Sequence, residues 1–130
     1  LGDVYKRQAK YYSVDVTLRN LIVGNTSRDT GHILENIVFL ELIRRGYTVY
    51  VGQLAKGEID FVAEKAGITE YYQVSETVLD LNTLNRELAP LEAINDQYSK
   101  FLLTLDELNK NANYDGIQQR NVLEWLLESC

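Results

Sequence analysis

Four side chains carry the chemistry this sequence could perform. Glu35 lies in "GHILENIVFLELIRRG", Asp60 in "EIDFVAEK", and Gln73 and Ser75 in "ITEYYQVSETV". Three and four residues beyond Glu35 stand Val38 and Phe39, with Leu42 a turn further, so on a helix the carboxylate shares an apolar face without an intrahelical cation. Glu41 differs, because Arg45 four residues on offers an ion pair on a solvated side. A carboxylate turned toward a core requires a hydrogen-bonding partner or a metal, since burying it alone is expensive.

Asp60 sits on a predicted strand with Ile59, Phe61 and Ala63 expected on the opposite face. Tyr71, Gln73 and Ser75 share a face of the next strand by the two-residue period. A tight turn at Ala66–Gly67 would bring Asp60 beside Gln73, and the four polar residues would converge at one end of a sheet. Two acids could ligate a divalent cation such as Mg²⁺. The plain alternatives are an internal carboxylate that caps or hydrogen-bonds for Glu35, an edge-strand acid for Asp60, and structural hydrogen bonding for Gln73 and Ser75.

The elements that must position these residues follow from pattern. "KYYSVDVTLRNLIVG" begins β-prone and passes into a short helical run closed by Gly24, and "NTSRDTG" is a loop rich in N-cap residues. "HILENIVFLELIRR" has helical length, with Arg44 and Arg45 complementing its C-terminal dipole and Gly46 as its stop. "YTVYVGQL", "EIDFVAEK" and "ITEYYQVSETV" read as three strands. "LNTLNRELAPLEAI" places Leu81, Leu84, Leu88 and Leu91 on one helical face, and Pro90 predicts a kink or a split into two helices. "KFLLTL" is a strand; after the polar loop "DELNKNANYDG" come a last strand, "IQQRNV", and a last helix, "LEWLLES", docked by Trp125. The class is α/β, an α-β-β-β-α-β core with a mixed central sheet flanked by helices.

The chain resembles a known family at this point. From about Lys10 to Leu127, "KYYSVDVTLRN", "GHILENIVFLELIRRGYTVYVG", "EIDFVA", "YYQVS", "RELAPL", "KFLLTLDE" and "NVLEWLL" are similar to the C-terminal domain of unknown function of prokaryotic AAA-type ATPases. The order of elements looks like the restriction-endonuclease-like PD-(D/E)XK fold. Active members of that fold use a helix Glu, a strand Asp and an acid-x-Lys pair around a divalent ion. Carried over by position, Glu35 and Asp60 match, Gln73 replaces the second acid and Ser75 the lysine. Lys56 and Lys65 lack the spacing to substitute. The resemblance implies a degenerate site in an accessory domain, with Glu35 and Asp60 as the remaining metal-ligand candidates. It also implies an ATPase module on the N-terminal side as partner. No G-x-x-x-x-G-K-[ST] is present, so ATP binding is not expected of this chain.

Composition bounds the rest. The 130 residues suit one domain, read as 10–130, after a leader at 1–9 taken as non-native or disordered. Within it "LGDVYKRQ" is similar to a string that turns up as translated adapter sequence in assembled environmental reads. Thirteen basic against 19 acidic residues, a formal charge of −6, oppose non-specific attraction to a polyanion, although nucleic acid stays open as a partner. Arg44–Arg45 and Lys56 are the only modest basic candidates. The nine tyrosines, Tyr11–Tyr12 and Tyr71–Tyr72 among them, read as sheet packing rather than base stacking. His32 reads as a helix-terminus residue and makes no zinc site alone. Cys130, the single cysteine, excludes a disulfide framework and points to a reducing, cytoplasmic compartment. No apolar run reaches the roughly 18–20 residues that cross a bilayer, so no membrane partner is expected.

Overall fold

The computed structural model describes residues 4–8 and 27–128. The expected strand and short helix of "KYYSVDVTLRNLIVG" lie outside these residues, as does Cys130. Helix α1 spans Ser27–Arg44. It begins five residues before His32, so "SRDTG" belongs to the helix and not to a loop. Burial of Ile33, Leu34, Val38, Phe39 and Leu42 outweighs the helix-weakening Gly31. Its end is a Schellman motif: Gly46 N–H donates to Ile43 O at 2.9 Å and Tyr47 N–H to Leu42 O at 3.1 Å, with Gly46 at φ 94°.

Strands β1 (Tyr5–Gln8), β2 (Thr48–Leu54), β3 (Gly57–Lys65) and β4 (Ile68–Val74) form an antiparallel run. Ala66 (φ 52°) and Gly67 (φ 80°) close the β3–β4 hairpin where the sequence places it. Helix α2 (Leu81–Glu92) crosses to β5 (Ser99–Thr104), which pairs parallel with β4. β6 (Asn113–Tyr114), β7 (Ile117–Asn121) and helix α3 (Val122–Leu126) complete the chain. Among the described residues the sheet has seven strands in the order β1-β2-β3-β4-β5-β7-β6, mixed in direction, with helices on both faces.

Residues 5–8, expected to stand outside the fold, form the edge strand β1, with Tyr5 opposite Gln53 and Gln8 opposite Tyr50. Ladder bonds are made by the main chain, so the edge of β2 accepts an extended segment whatever its side chains. Pro90 does not split α2. It lies near the C-terminus, where its missing N–H removes one ladder bond, and the helix ends at Glu92. Leu88 and Leu91 are buried as expected, whereas Leu81 is exposed.

Two cores sandwich the sheet. On the α1 face Val38, Phe39, Leu42, Phe61, Tyr72, Leu103 and Trp125 pack together. On the α2 face Ile59, Val62, Tyr71, Leu88, Leu91 and Leu102 do so. Tyr71 and Tyr72 are thus sheet-packing residues, the latter stacked on Phe101 with centroids 5.1 Å apart. Glu41 pairs with both Arg44 and Arg45, but not on a solvated side. The Glu41 and Arg45 side chains are 11% and 9% exposed, because the Arg45 guanidinium lies 4.4 Å from the Trp125 ring centroid. Hydrogen bonds from Arg44, joined by Arg45, hold the Glu41 carboxyl down to about 2 against the opposing effect of burial.

One irregularity positions the site. Tyr50 pairs with Val62 and Gly52 with Ile59, so Val51 alone faces both Asp60 and Phe61. This is a β-bulge in β3, and it breaks the side-chain alternation. A Cβ on Gly52 would come within 2.9 Å of Val62 Cγ2 and 3.0 Å of Ile59 Cβ. Gly52→Ala is therefore expected to lower stability by about 1–3 kcal/mol, read by urea unfolding.

Candidate functional site

The sequence pattern puts Phe61 on the face opposite Asp60; the bulge overturns that. Ile59 and Val62 pack under α2, Phe61 packs toward α1, and Asp60 turns to the α1 side with it. There it meets Glu35. Both line a cavity of about 290 Å³ with Arg7, His32, Val51, Glu58 and Phe61. His32 is thus inside α1, on the wall of this cavity, and not at a helix end.

Asp60 and Gln73 approach as expected, through bonds that replace a strand ladder. Cross-strand pairing of β3 with β4 reaches Phe61–Tyr72 and stops. Beyond it Asp60 N–H donates to Gln73 Oε1 at 2.8 Å, and Val74 N–H donates to Asp60 Oδ2 at 2.8 Å. Gln73 Nε2 donates to Glu87 O at 3.1 Å and Glu58 O at 3.3 Å. The buried carboxamide therefore ties β4 to β3 and to α2. Ser75 stands apart: its hydroxyl donates to Thr77 O at 2.9 Å, and it does not line the cavity. Of the four expected residues, Glu35 and Asp60 share the cavity, Gln73 braces it from the α2 side, and Ser75 does not join them.

The electrostatics are those of crowded acids. Burial raises the Asp60 carboxyl well above its ordinary value, with Glu35, Glu87 and Glu58 adding to the rise and the Val74 N–H opposing it. Burial likewise raises Glu35, which His32 lowers and Glu58 raises. Glu87 is raised by burial and Glu35, and lowered by Arg86. Glu58 and Glu87 were not candidates in the sequence. Glu58 is two residues from Asp60 and was findable; Glu87, on another element, had no local signal.

The cation count is short. Lys65 Nζ donates to Arg45 O at 2.8 Å and lies 4.8 Å from the Tyr47 ring centroid, at the hairpin end. Lys56 is exposed in the β2–β3 turn. Neither lines the cavity; Arg7, which does, is paired with Glu58. Two carboxylates suit a largely hydrated Mg²⁺, which binds through one or two such groups. Among the described residues no group of three or more His, Cys, Asp or Glu is placed to hold a metal.

One curated protein is similar to the chain. It comes from Haemophilus influenzae, carries the description "uncharacterized protein", and is 42% identical over 123 residues. The match covers 95% of this chain and 30% of that protein, so the chain spans less than a third of its relative's length. No family model matches the chain. No solved structure matches it either. Among the described residues no helix is long and apolar enough to cross a membrane.

Proposed function

We propose that this chain is a non-catalytic accessory domain of a AAA-type ATPase, with a restriction-endonuclease-like fold and a degenerate cleavage site. The order α1-β2-β3-β4-α2-β5 around a mixed sheet supports the fold. A relative more than three times as long as the match supports a place in a larger polypeptide. The observation that carries the degenerate site is the commitment of Gln73. At the position of the second acid stands a neutral carboxamide whose nitrogen donates to two main-chain carbonyls and whose oxygen accepts from Asp60 N–H. At the position of the lysine, Ser75 bonds its own loop. Without a fixed cation, charge developing on a phosphodiester in the transition state goes unstabilised, a loss of about 3–4 kcal/mol for a single missing donor.

The test is a cleavage assay on supercoiled, linear and branched DNA with Mg²⁺ or Mn²⁺, run beside Asp60→Ala. Neither protein is expected to cut. Cutting that disappears with Asp60→Ala would establish instead a Mg²⁺-dependent nuclease using Glu35 and Asp60. Between engaging DNA and engaging a protein, the acids Glu35, Glu58 and Asp60 lining the cavity favour protein at this end of the sheet, because carboxylates there repel phosphate. Salt-sensitive DNA binding weakened by Lys- or Arg-to-Glu changes elsewhere on the surface would speak against that preference; a purely assembly role would leave DNA unbound throughout.

A further inference from the structure

Glu35 and Asp60 stand half-buried in the cavity beneath α1, and most of their hydrogen-bonding capacity is unused. Among the described residues Glu35 accepts no hydrogen bond, and Asp60 accepts one, on Oδ2 from Val74 N–H. An ionised carboxyl has room for about four. The remaining lone pairs open on the cavity, where Glu58 adds a third acid and Val51 and Phe61 form an apolar wall. The larger hollow at the start of β5, about 540 Å³, differs in that its central acid is engaged. There Asp96 accepts from the Tyr71 hydroxyl at 2.7 Å and from Lys100 Nζ at 3.1 Å.

The walls define the ligand. It must donate hydrogens to two carboxyls on separate elements, carry positive charge, and lay an apolar stem on Val51 and Phe61. At about 290 Å³ the space falls just short of the roughly 300–1,000 Å³ of small-molecule pockets, so it suits one side chain rather than a cofactor. A hydrated Mg²⁺ would meet the acids and leave the apolar wall without a contact. An ammonium is compact and strongly hydrated, whereas a guanidinium is planar, weakly hydrated and presents its N–H donors as a fork. The chain supplies its own precedent. Arg7, opposite Val51 on β1, lies on the cavity wall and pairs with Glu58, both side chains about half exposed at the mouth. Glu35 and Asp60, less exposed than Glu58, are in no ion pair among the described residues.

We infer that the Glu35–Asp60 cavity receives an arginine side chain from a protein partner, its guanidinium donating to both carboxyls and its stem lying on Val51 and Phe61. This deepens the protein-engaging reading of the site and rests on it. Charge complementarity selects the partner: a basic residue is drawn to the same acids that repel phosphate.

The experiment follows backbone amide shifts of the 130-residue chain by NMR as N-acetyl-arginine N-methylamide is added at neutral pH. The lysine and citrulline analogues are titrated in parallel, the latter keeping the shape of arginine without its charge. Saturable shifts are expected at His32, Val51 and Phe61, with the lysine compound about tenfold weaker and the citrulline compound without effect. Glu35→Gln with Asp60→Asn should weaken the arginine compound by about tenfold or more, as loss of charge-assisted hydrogen bonds dictates. That variant stays folded, because Asp60→Asn keeps an acceptor for Val74 N–H; circular dichroism verifies it. Glu92→Gln, at the other hollow, should change nothing. Equal affinity for the lysine or citrulline compound, or shifts centred on Glu92 and Asp96, would overturn the inference. So would displacement by Mg²⁺ at equal concentration, which would make the cavity a metal site. Tighter binding of free L-arginine than of the blocked compound would point to an amino acid and not a protein. Binding that emerges only with Arg7→Gln would make the chain's own arginine the occupant, and either result sinks the inference. DNA cutting that disappears with Asp60→Ala would sink the protein-engaging reading itself; absent arginine binding without cutting removes only this ligand.

Discussion

Gln73→Ala is expected to destabilise the fold by about 3–5 kcal/mol in urea or thermal unfolding. The carboxamide is 3% exposed and satisfies Asp60 N–H, Glu58 O and Glu87 O at once. Each buried polar group left without a partner costs about 1–3 kcal/mol, and the vacated volume adds a cavity. Gln73→Glu is the sharper test, because it places at this position the acid that the proposed nuclease-like reading would require of an active site. A carboxylate has no hydrogen to give the Glu58 and Glu87 carbonyls, and it would join Glu35, Asp60 and Glu87 in a cluster already crowded with charge. It should cost as much as alanine at neutral pH, recover part of the loss in mild acid as it protonates, and confer no cleavage with Mg²⁺. A Gln73→Glu protein of full stability that cuts DNA would mean that the site is one step from activity and not a brace.

How much of this was legible can be judged element by element. The hairpin was, because Ala66–Gly67 between two β-rich runs encodes its turn locally, and with the turn came the approach of Asp60 to Gln73. The end of α1 at Gly46 was legible for the same reason. Its start was not, since tertiary burial of Ile33 and Leu34 carries the helix back through a polar, Gly-containing stretch. Asp115–Gly116, φ 53° and 98°, offered a hairpin signal within the loop "DELNKNANYDG", and the short β6–β7 pair follows from it. The bulge was hidden. One extra residue in β3 reverses the parity of every side chain beyond it, and only the pairing with β2 reveals where it falls. That single residue decides that Asp60 looks at Glu35. Glu35, Asp60 and Gln73 were thus readable, with the approach of Asp60 to Gln73, whereas the departure of Ser75, the presence of Glu87 and the face that Asp60 shares with Phe61 were not.

Asp60 sets the expected dependence on pH. Its folded carboxyl, and those of Glu35 and Glu87, are raised above the values 3.8 for Asp and 4.5 for Glu, chiefly by burial. Between those values and the raised ones the folded chain holds more protons than the unfolded chain. Stability therefore falls as pH rises through this window, and climbs as neutral solution is made mildly acidic. Glu41 acts in the opposite sense: with its folded value down at about 2, its contribution is present above 4.5 and is lost as pH falls toward 2. Maximal stability is accordingly expected in mild acid, just above the ordinary carboxylate range. Asp60→Asn should raise stability at pH 7 and flatten the climb, because the neutral amide can still accept from Val74 N–H. Asp60→Ala should fall below Asp60→Asn by about 1–3 kcal/mol, since that N–H is then left without its acceptor. Chemical unfolding at several pH values between 4 and 8 reads all three. The same series separates a brace from a metal site: Mg²⁺ held by the Glu35–Asp60 pair would raise wild-type stability at neutral pH, cancel its advantage in acid, and do neither for Asp60→Asn.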